Sequence, residues 1–259
     1  MKDLKLQQSL LVVSQRHNIM STQPIFLLSL PRAGSTLLQR LLNQHGEIST
    51  TPEPWIALPL FYMLKSEGVK SIYGHNNLAN AVNGFIDTLP NKKDDYLASA
   101  ADFLNKMYSL NSKADSTYFL DKTPRYHLII NELMDSFPDA KFIFLWRNPL
   151  AIAASIIQTW GQGGWNLYMF QVDLYSGVNS LVSSFSNNKE RCIAVKYEDL
   201  VTSPDEEMAR IMSYLNLKYD VNLVDTFKHA KKIDAPGRGD PTGQHKYNEV
   251  SKNSRDSWK

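Results

Sequence analysis

The sequence predicts an α/β fold of three layers, with a central parallel sheet of about 4–5 strands held between helices. Three observations predict it. Short β-rich apolar runs recur at residues 25–30, 118–120, 142–146 and 192–195, with a weaker one at 48–50. Longer helical patterns separate most of them, at 35–43, 126–137, 150–160, 167–185 and 204–215. The four stronger runs are mostly apolar, as expected of strands covered on both faces and joined by helical crossovers. In such sheets ligands sit at the carboxyl ends of the strands, so the residues just after each run carry the functional information.

Length and composition agree with this class. A chain of 259 residues is expected to form one domain over 1–259, since α/β domains often run to ~250 residues. A chain of this length buries about 70–75% of its unfolded surface, enough for a core without covalent staples. The 28 Lys and Arg against 26 Asp and Glu give a net charge of +2. That excludes charge-driven disorder and gives no reason to expect nucleic acid as a partner, so any anion site must arise from local placement. Cys192 is the only cysteine, which excludes an intrachain disulfide and a cysteine-rich zinc site; in an apolar run it reads as inert core. The six histidines form no metal pattern.

The elements follow in order. Residues 1–23 read as an N-terminal extension, in which Leu4, Leu6, Leu10, Leu11 and Val13 predict a short amphipathic helix packed on the domain. The apolar run at 9–13 is too short for a signal core, and no stretch approaches ~20 apolar residues, so no membrane span and a cytoplasmic location are expected. The run at 25–30 leads into Pro31-Arg32-Ala33-Gly34-Ser35-Thr36 and a helix. Backbone N–H groups at such a turn, reinforced by the helix dipole, make an anion cradle. Gly34 lets the backbone bend closely, Ser35 and Thr36 add hydroxyls, and Arg32 adds a forked cation suited to phosphate or sulfate. The plainer alternative is an ordinary strand-to-helix turn with Ser as its cap.

After the run at 48–50 comes Thr51-Pro52-Glu53-Pro54-Trp55. Pro54 disfavours helical geometry at Glu53 and holds its carboxylate on extended backbone; the plainer alternative is that Pro54 opens a helix whose dipole Glu53 favours. Residues 55–116 carry two or three helices, punctuated by Gly68, Gly74 and Pro90, and read as a helical insertion on the acceptor side. The run at 118–120 leads to Asp121-Lys122-Thr123-Pro124, where Thr123 and Pro124 read as a helix start. The run at 142–146 leads directly into Arg147-Asn148-Pro149, with Ser155 eight residues beyond Arg147, about two helical turns on. A strand end carrying Arg repels a metal and attracts a second phosphate. Alone, Arg147 reads equally as a surface residue and Ser155 as a buried helix serine. Together with the first site, two anion sites at two strand ends imply a ligand with two separated anionic groups. Residues 231–248, rich in Gly, Pro and charge, read as a loop able to fold over a ligand.

Taken together, these segments resemble the sulfotransferases that use 3′-phosphoadenosine-5′-phosphosulfate (PAPS). The stretch from Pro31 to Leu38 resembles the family's 5′-phosphosulfate loop, and Arg147-Asn148-Pro149 followed by Ser155 resembles its 3′-phosphate motif. Asp121-Lys122-Thr123-Pro124 and Tyr197-Glu198-Asp199-Leu200 match in order. The resemblance runs from about Pro24 to the C-terminus and is weakest over 55–115. It implies a P-loop-like α/β domain and a cofactor site made by Arg32, Ala33, Gly34, Ser35, Thr36, Arg147, Ser155, Tyr197, Arg238 and Lys246. It further implies Glu53 as general base and Lys122, with Arg32, beside the sulfate and bridging oxygen, with no metal required.

The residues also admit plainer roles: a salt bridge for Lys122 with Asp121 or another acid, and a packed ring for Tyr197. His75 and His245 are the substitute bases. The chain lacks the Arg-Lys-Gly motif of the small-molecule branch, which directs the resemblance to the carbohydrate, protein and bacterial branches. The acceptor is then a hydroxyl of a glycan, glycolipid or metabolite. Trp55, Tyr62, Tyr73, Trp160, Trp165 and Tyr168 are candidates to line its pocket. Two competing readings are a small-molecule kinase using ATP and Mg²⁺, which lacks here its loop Lys, and a non-catalytic nucleotide-binding module.

Overall fold

The computed structural model describes residues 22–161, 163–227, 250, 251 and 255. All five apolar runs, the weak one included, are strands: β1 (Gln23–Ser29), β2 (Ile48–Thr50), β3 (Tyr118–Asp121), β4 (Lys141–Trp146) and β5 (Cys192–Lys196). They form one sheet in the order β2-β3-β1-β4-β5, and every pair is parallel. The chain leaves β1 for the β2 edge, returns through β3 and crosses to β4 on the other side. β1 therefore lies at the switch point, with its carboxyl end open to a ligand between the neighbouring loops.

The two-residue period of a strand divides the core. Ile25 and Leu27 face a cluster with Leu37, Leu41, Met208 and Ile211. Phe26 and Leu28 face the opposite cluster, with Leu104, Ile130, Ile152 and Leu181. The first cluster is covered by α1 (Ser35–Leu42) and a later helix, Pro204–Tyr214. The second is covered by Lys93–Asn111, Ile130–Ser136, Pro149–Thr159 and Val178–Asn187. Helix, sheet and helix make three layers, as the sequence predicts.

Between β2 and β3 lie three helices, Ala57–Tyr62, His75–Ile86 and Lys93–Asn111. Two helical patterns are not single helices. Residues 126–137 divide into a 3₁₀ segment, Pro124–Leu128, and the helix Ile130–Ser136. The adjacent buried side chains Tyr126 and His127 take carboxylate partners in different places, Asp121 and Asp173. Residues 167–185 pass through 3₁₀ (Leu167–Phe170), π (Val172–Gly177) and α (Val178–Asn187) geometry. The wide turn holds Asp173, a buried carboxylate that pairs with Arg125 at 2.8 Å and with His127 at 3.0 Å. Helices Tyr197–Thr202 and Leu223–Thr226 were not expected from the pattern.

Cys192 is only partly buried, against the expectation of full burial, and desolvation pushes its thiol up to about 11. The N-terminal helix and the loop at 231–248 lie outside the described residues. Among the described residues no helix is long and apolar enough to cross a membrane.

Candidate active site

All five strands deliver candidate residues at their carboxyl ends. After β1 the chain turns sharply: Arg32 has φ +66° and Gly34 has φ +96°, both in the left-handed region. For Arg32 this costs roughly 1–2 kcal/mol. Gly34 is needed for a second reason. A Cβ there would lie 2.3 Å from Cδ2 of Tyr197, whose ring is fully buried against it. The close approach that Gly34 permits is thus to Tyr197. Ser35 and Thr36 then open α1, and at these first two positions the N–H groups have no intrahelical acceptor, whereas the Leu37 N–H already bonds the Gly34 carbonyl at 3.0 Å.

The loops after β1 and β4 are tied together. Nη1 of Arg147 donates to the carbonyl of Arg32 at 2.8 Å. Nε of Arg32 donates to Oγ of Ser155 at 3.1 Å. The Arg147 guanidinium lies 4.3 Å from the centre of the Tyr197 ring. The packed-ring reading of Tyr197, with its hydroxyl at the rim, describes the ring but not the rim: the whole residue is buried, a wedge between Gly34 and Arg147. Asn148 caps Pro149–Thr159 by accepting from the Leu150 N–H at 2.9 Å, and its own N–H donates to Oε1 of Glu198 at 2.9 Å. That second bond links the β4 and β5 loops.

The loops after β2 and β3 meet at an ion pair. Nζ of Lys122, with its side chain 2% exposed, lies 2.8 Å from Oε1 of Glu53, 11% exposed. Nε1 of Trp55 donates to Oε2 at 3.3 Å, so both carboxylate oxygens are held. The sequence offers Asp121 or another surface acid as a salt-bridge partner for Lys122; the acid is Glu53, and it is mostly buried. Thr123 precedes a 3₁₀ turn with Pro124 at its first position, but its hydroxyl does not cap that turn. It donates to Oδ1 of Asp121 at 3.0 Å.

Asp121 is the buried centre that the sequence reading missed. Its Oδ2 accepts from the hydroxyls of Tyr108 at 2.7 Å and Tyr126 at 2.9 Å. Burial raises its carboxyl to about 6, with the three hydroxyl donors and Lys122 pulling in the other direction. Burial and the nearby Asp121 charge push both tyrosines well above their ordinary value, so they remain donors. The available signal was position: Asp121 ends β3, immediately before Lys122.

The remaining candidates divide. The Arg32 guanidinium lies 5.8 Å from the centre of the Trp160 ring, which stacks on Phe170 at 5.7 Å. Tyr73, Trp165 and Tyr168 are exposed. His75 is bonded to the Lys65 carbonyl at 2.8 Å and packs against Tyr62, so its contacts are with the insertion. Arg238, His245 and Lys246 lie outside the described residues. Among the described residues no group of three or more His, Cys, Asp or Glu could hold a metal ion.

Three cations (Arg32, Lys122 and Arg147), the hydroxyls of Ser35, Thr36 and Ser155, and the Glu53 carboxylate thus lie at the carboxyl edge of one sheet. That donor set suits an anionic donor with two charged ends and an acceptor with a removable proton. The chain matches the model of the sulfotransferase family over residues 24–221 and belongs to that family. Among curated proteins it is 31% identical over 218 residues to nodulation protein NoeE of Sinorhizobium fredii, covering 75% of this chain and 50% of that one. It is 24% identical over 201 residues to a protein-tyrosine sulfotransferase of Drosophila melanogaster, covering 76% and 38%. The chain thus spans half or less of the length of these two relatives. Among solved structures, the sulfotransferase domain of the Synechococcus PCC 7002 olefin synthase shares the fold, with a TM-score of 0.60 and 22% identity. That match covers 92% of this chain and 88% of the other.

Proposed function

We propose that this chain moves a sulfuryl group from PAPS to the hydroxyl of a glycan, glycolipid or metabolite, with Glu53 as general base. The observation that carries the reading is the junction of the two anion loops: Arg147 bonds the Arg32 backbone, and Arg32 bonds Ser155. Loops joined in this way suit one ligand with two anionic groups. In this reading Arg32, Gly34, Ser35 and Thr36 hold the 5′-phosphosulfate, and Arg147 with Ser155 holds the 3′-phosphate. Ala33 belongs to the first loop, and Tyr197 supports both by its packing.

When bound, PAPS supplies an activated sulfuryl group whose leaving group is already a phosphate. Glu53 accepts the proton of the attacking hydroxyl. Lys122, 2.8 Å from Glu53, neutralises charge between the base and the leaving oxygen. Positioning and electrostatics carry such transfers, and no metal is assigned a part. Protein-tyrosine sulfotransferases are named for a phenolic acceptor, so a phenol joins the acceptors to be screened. A cytoplasmic site of action belongs to this reading.

Calorimetric titration with PAP, compared with ATP plus Mg²⁺, tests the reading. Tight, metal-independent PAP binding is expected, followed by transfer from labelled PAPS in an acceptor screen. ATP preference with a magnesium requirement would instead make the chain a kinase. PAP binding without any turnover would make it a binding module.

A further inference from the structure

The buried carboxylate of Asp121 reaches across to the loop that carries Glu53. Its Oδ1 accepts from the hydroxyl of Thr123, and that hydroxyl oxygen accepts the backbone N–H of Trp55 at 3.3 Å. Its Oδ2 accepts from the hydroxyl of Tyr126, and that oxygen accepts the backbone N–H of Ala57 at 3.2 Å. One carboxylate thus ends two parallel relays, each of which grips the segment just after Glu53.

The gripped segment is strained. Trp55 has φ +60°, a left-handed conformation unusual for a bulky residue. Such conformations persist where the surroundings over-determine them. Here the Trp55 N–H is fixed by Thr123, and its indole fixes Glu53. Lys122, the next residue after Asp121, meets Glu53 from the other side. The groups facing the Asp121 carboxylate are Tyr108, Tyr126, Thr123 and Lys122. All the hydroxyls donate to it, an arrangement that suits an ionised acceptor.

We propose that Asp121 is a positioning residue for sulfuryl transfer. Through the Thr123 and Tyr126 hydroxyls it holds the Glu53 loop in register with Lys122. This rests on the proposed function, which assigns Glu53 and Lys122 to the chemistry, and it adds a residue that touches neither donor nor acceptor.

Backbone amide exchange, read residue by residue by NMR without any ligand, tests the relays separately. Thr123→Val lowers protection at the Trp55 amide by roughly tenfold, the scale of one hydrogen bond, and spares Ala57. Tyr126→Phe does the reverse. Thr123→Ser, which keeps the hydroxyl, retains both. Asp121→Asn lowers both together; if it fails to fold, the two single-relay variants still decide. Equal loosening at both amides in either single variant, or no change at its own amide, overturns the relay.

The second readout is turnover of labelled PAPS, hydrolysis to free sulfate included, beside PAP affinity. Thr123→Val lowers turnover with PAP affinity within about twofold, and wild-type turnover falls on the acid side as Asp121 protonates near its raised value of about 6. Unchanged turnover in Thr123→Val, despite a released Trp55 amide, overturns the positioning role. A wild-type chain that binds no PAP overturns the transfer reading and the catalytic half of this inference, while the exchange pattern still decides the relay.

Discussion

Replacing Gly34 by Ala tests the Tyr197 wedge between the loops after β1 and β4. At φ +96° an L-residue is strained by roughly 1–2 kcal/mol. The new Cβ would sit 2.3 Å from Cδ2 and 2.5 Å from Cε2 of Tyr197. That ring is fully buried and carries Arg147 on its face at 4.3 Å, so it cannot swing aside freely. Overpacking of this kind costs roughly 1–3 kcal/mol. Gly34→Ala should therefore lose about 2–5 kcal/mol of stability, a fall of roughly 2–4 °C in Tm per kcal/mol in a chain of this size. Urea unfolding measures it, and a double-mutant cycle with Tyr197→Ala apportions it. Without the ring, adding the methyl should cost only the backbone strain, about 1–2 kcal/mol. An equal cost in both backgrounds, or a cost below about 0.5 kcal/mol in the wild type, the level of a neutral surface change, would refute the wedge.

Three further outcomes are expected. Glu53→Gln, which keeps the volume and removes the carboxylate, should lower turnover by roughly 10²–10⁴-fold with PAP affinity largely kept; normal turnover would remove Glu53 from the mechanism. Arg147→Ala should weaken PAP binding by roughly 10–100-fold, on the scale of one charge-assisted contact, and spare adenosine-5′-phosphosulfate. Equal loss for both ligands, read by calorimetry, would undo the 3′-phosphate assignment. The third concerns Asp121, whose folded value of about 6 exceeds its ordinary 3.8. Between those values the folded chain binds more protons than the unfolded one, so this group's contribution to stability falls as pH rises. Wild type should lose on the order of 3 kcal/mol relative to Asp121→Asn between about pH 3.5 and 7 in urea unfolding, and a constant difference would contradict it.

The sheet was legible because a doubly covered parallel strand writes itself as a short, mostly apolar run; β2, Ile-Ser-Thr, carries that mark only weakly. The loops were legible as well, since chemistry in this architecture gathers at strand ends and Arg32, Glu53, Lys122 and Arg147 each follow one. Pairings were not. Glu53 and Lys122 are far apart in sequence and meet because β2 and β3 are adjacent and parallel, with Thr50 beside Leu120. Strand order, which a local pattern does not encode, decides that contact. Residues 167–185 misled for another reason: a π segment widens the turn, so a simple helical period does not place the buried Asp173. Thr123 reads locally as a helix cap, but a buried carboxylate two residues away offers its hydroxyl a better acceptor.

In the proposed role Asp121 sets stability and catalysis against each other, and this separates that role from the role of an ordinary core residue. A salt-bridged surface carboxylate gains from being charged in the native state. This one is pushed by burial toward the neutral form, and three hydroxyls and Lys122 only partly offset that. Above pH about 6 it is ionised at a cost to the fold, and only then do the three hydroxyls face a full acceptor. The relays to Trp55 and Ala57 are therefore firmest where the domain has given up stability to charge the group. Acidification should strengthen this group's contribution to stability while loosening the loop that carries Glu53. Stability and turnover then move in opposite directions over the same pH interval. A purely structural carboxylate would give only the first effect, and a base titrating in isolation only the second.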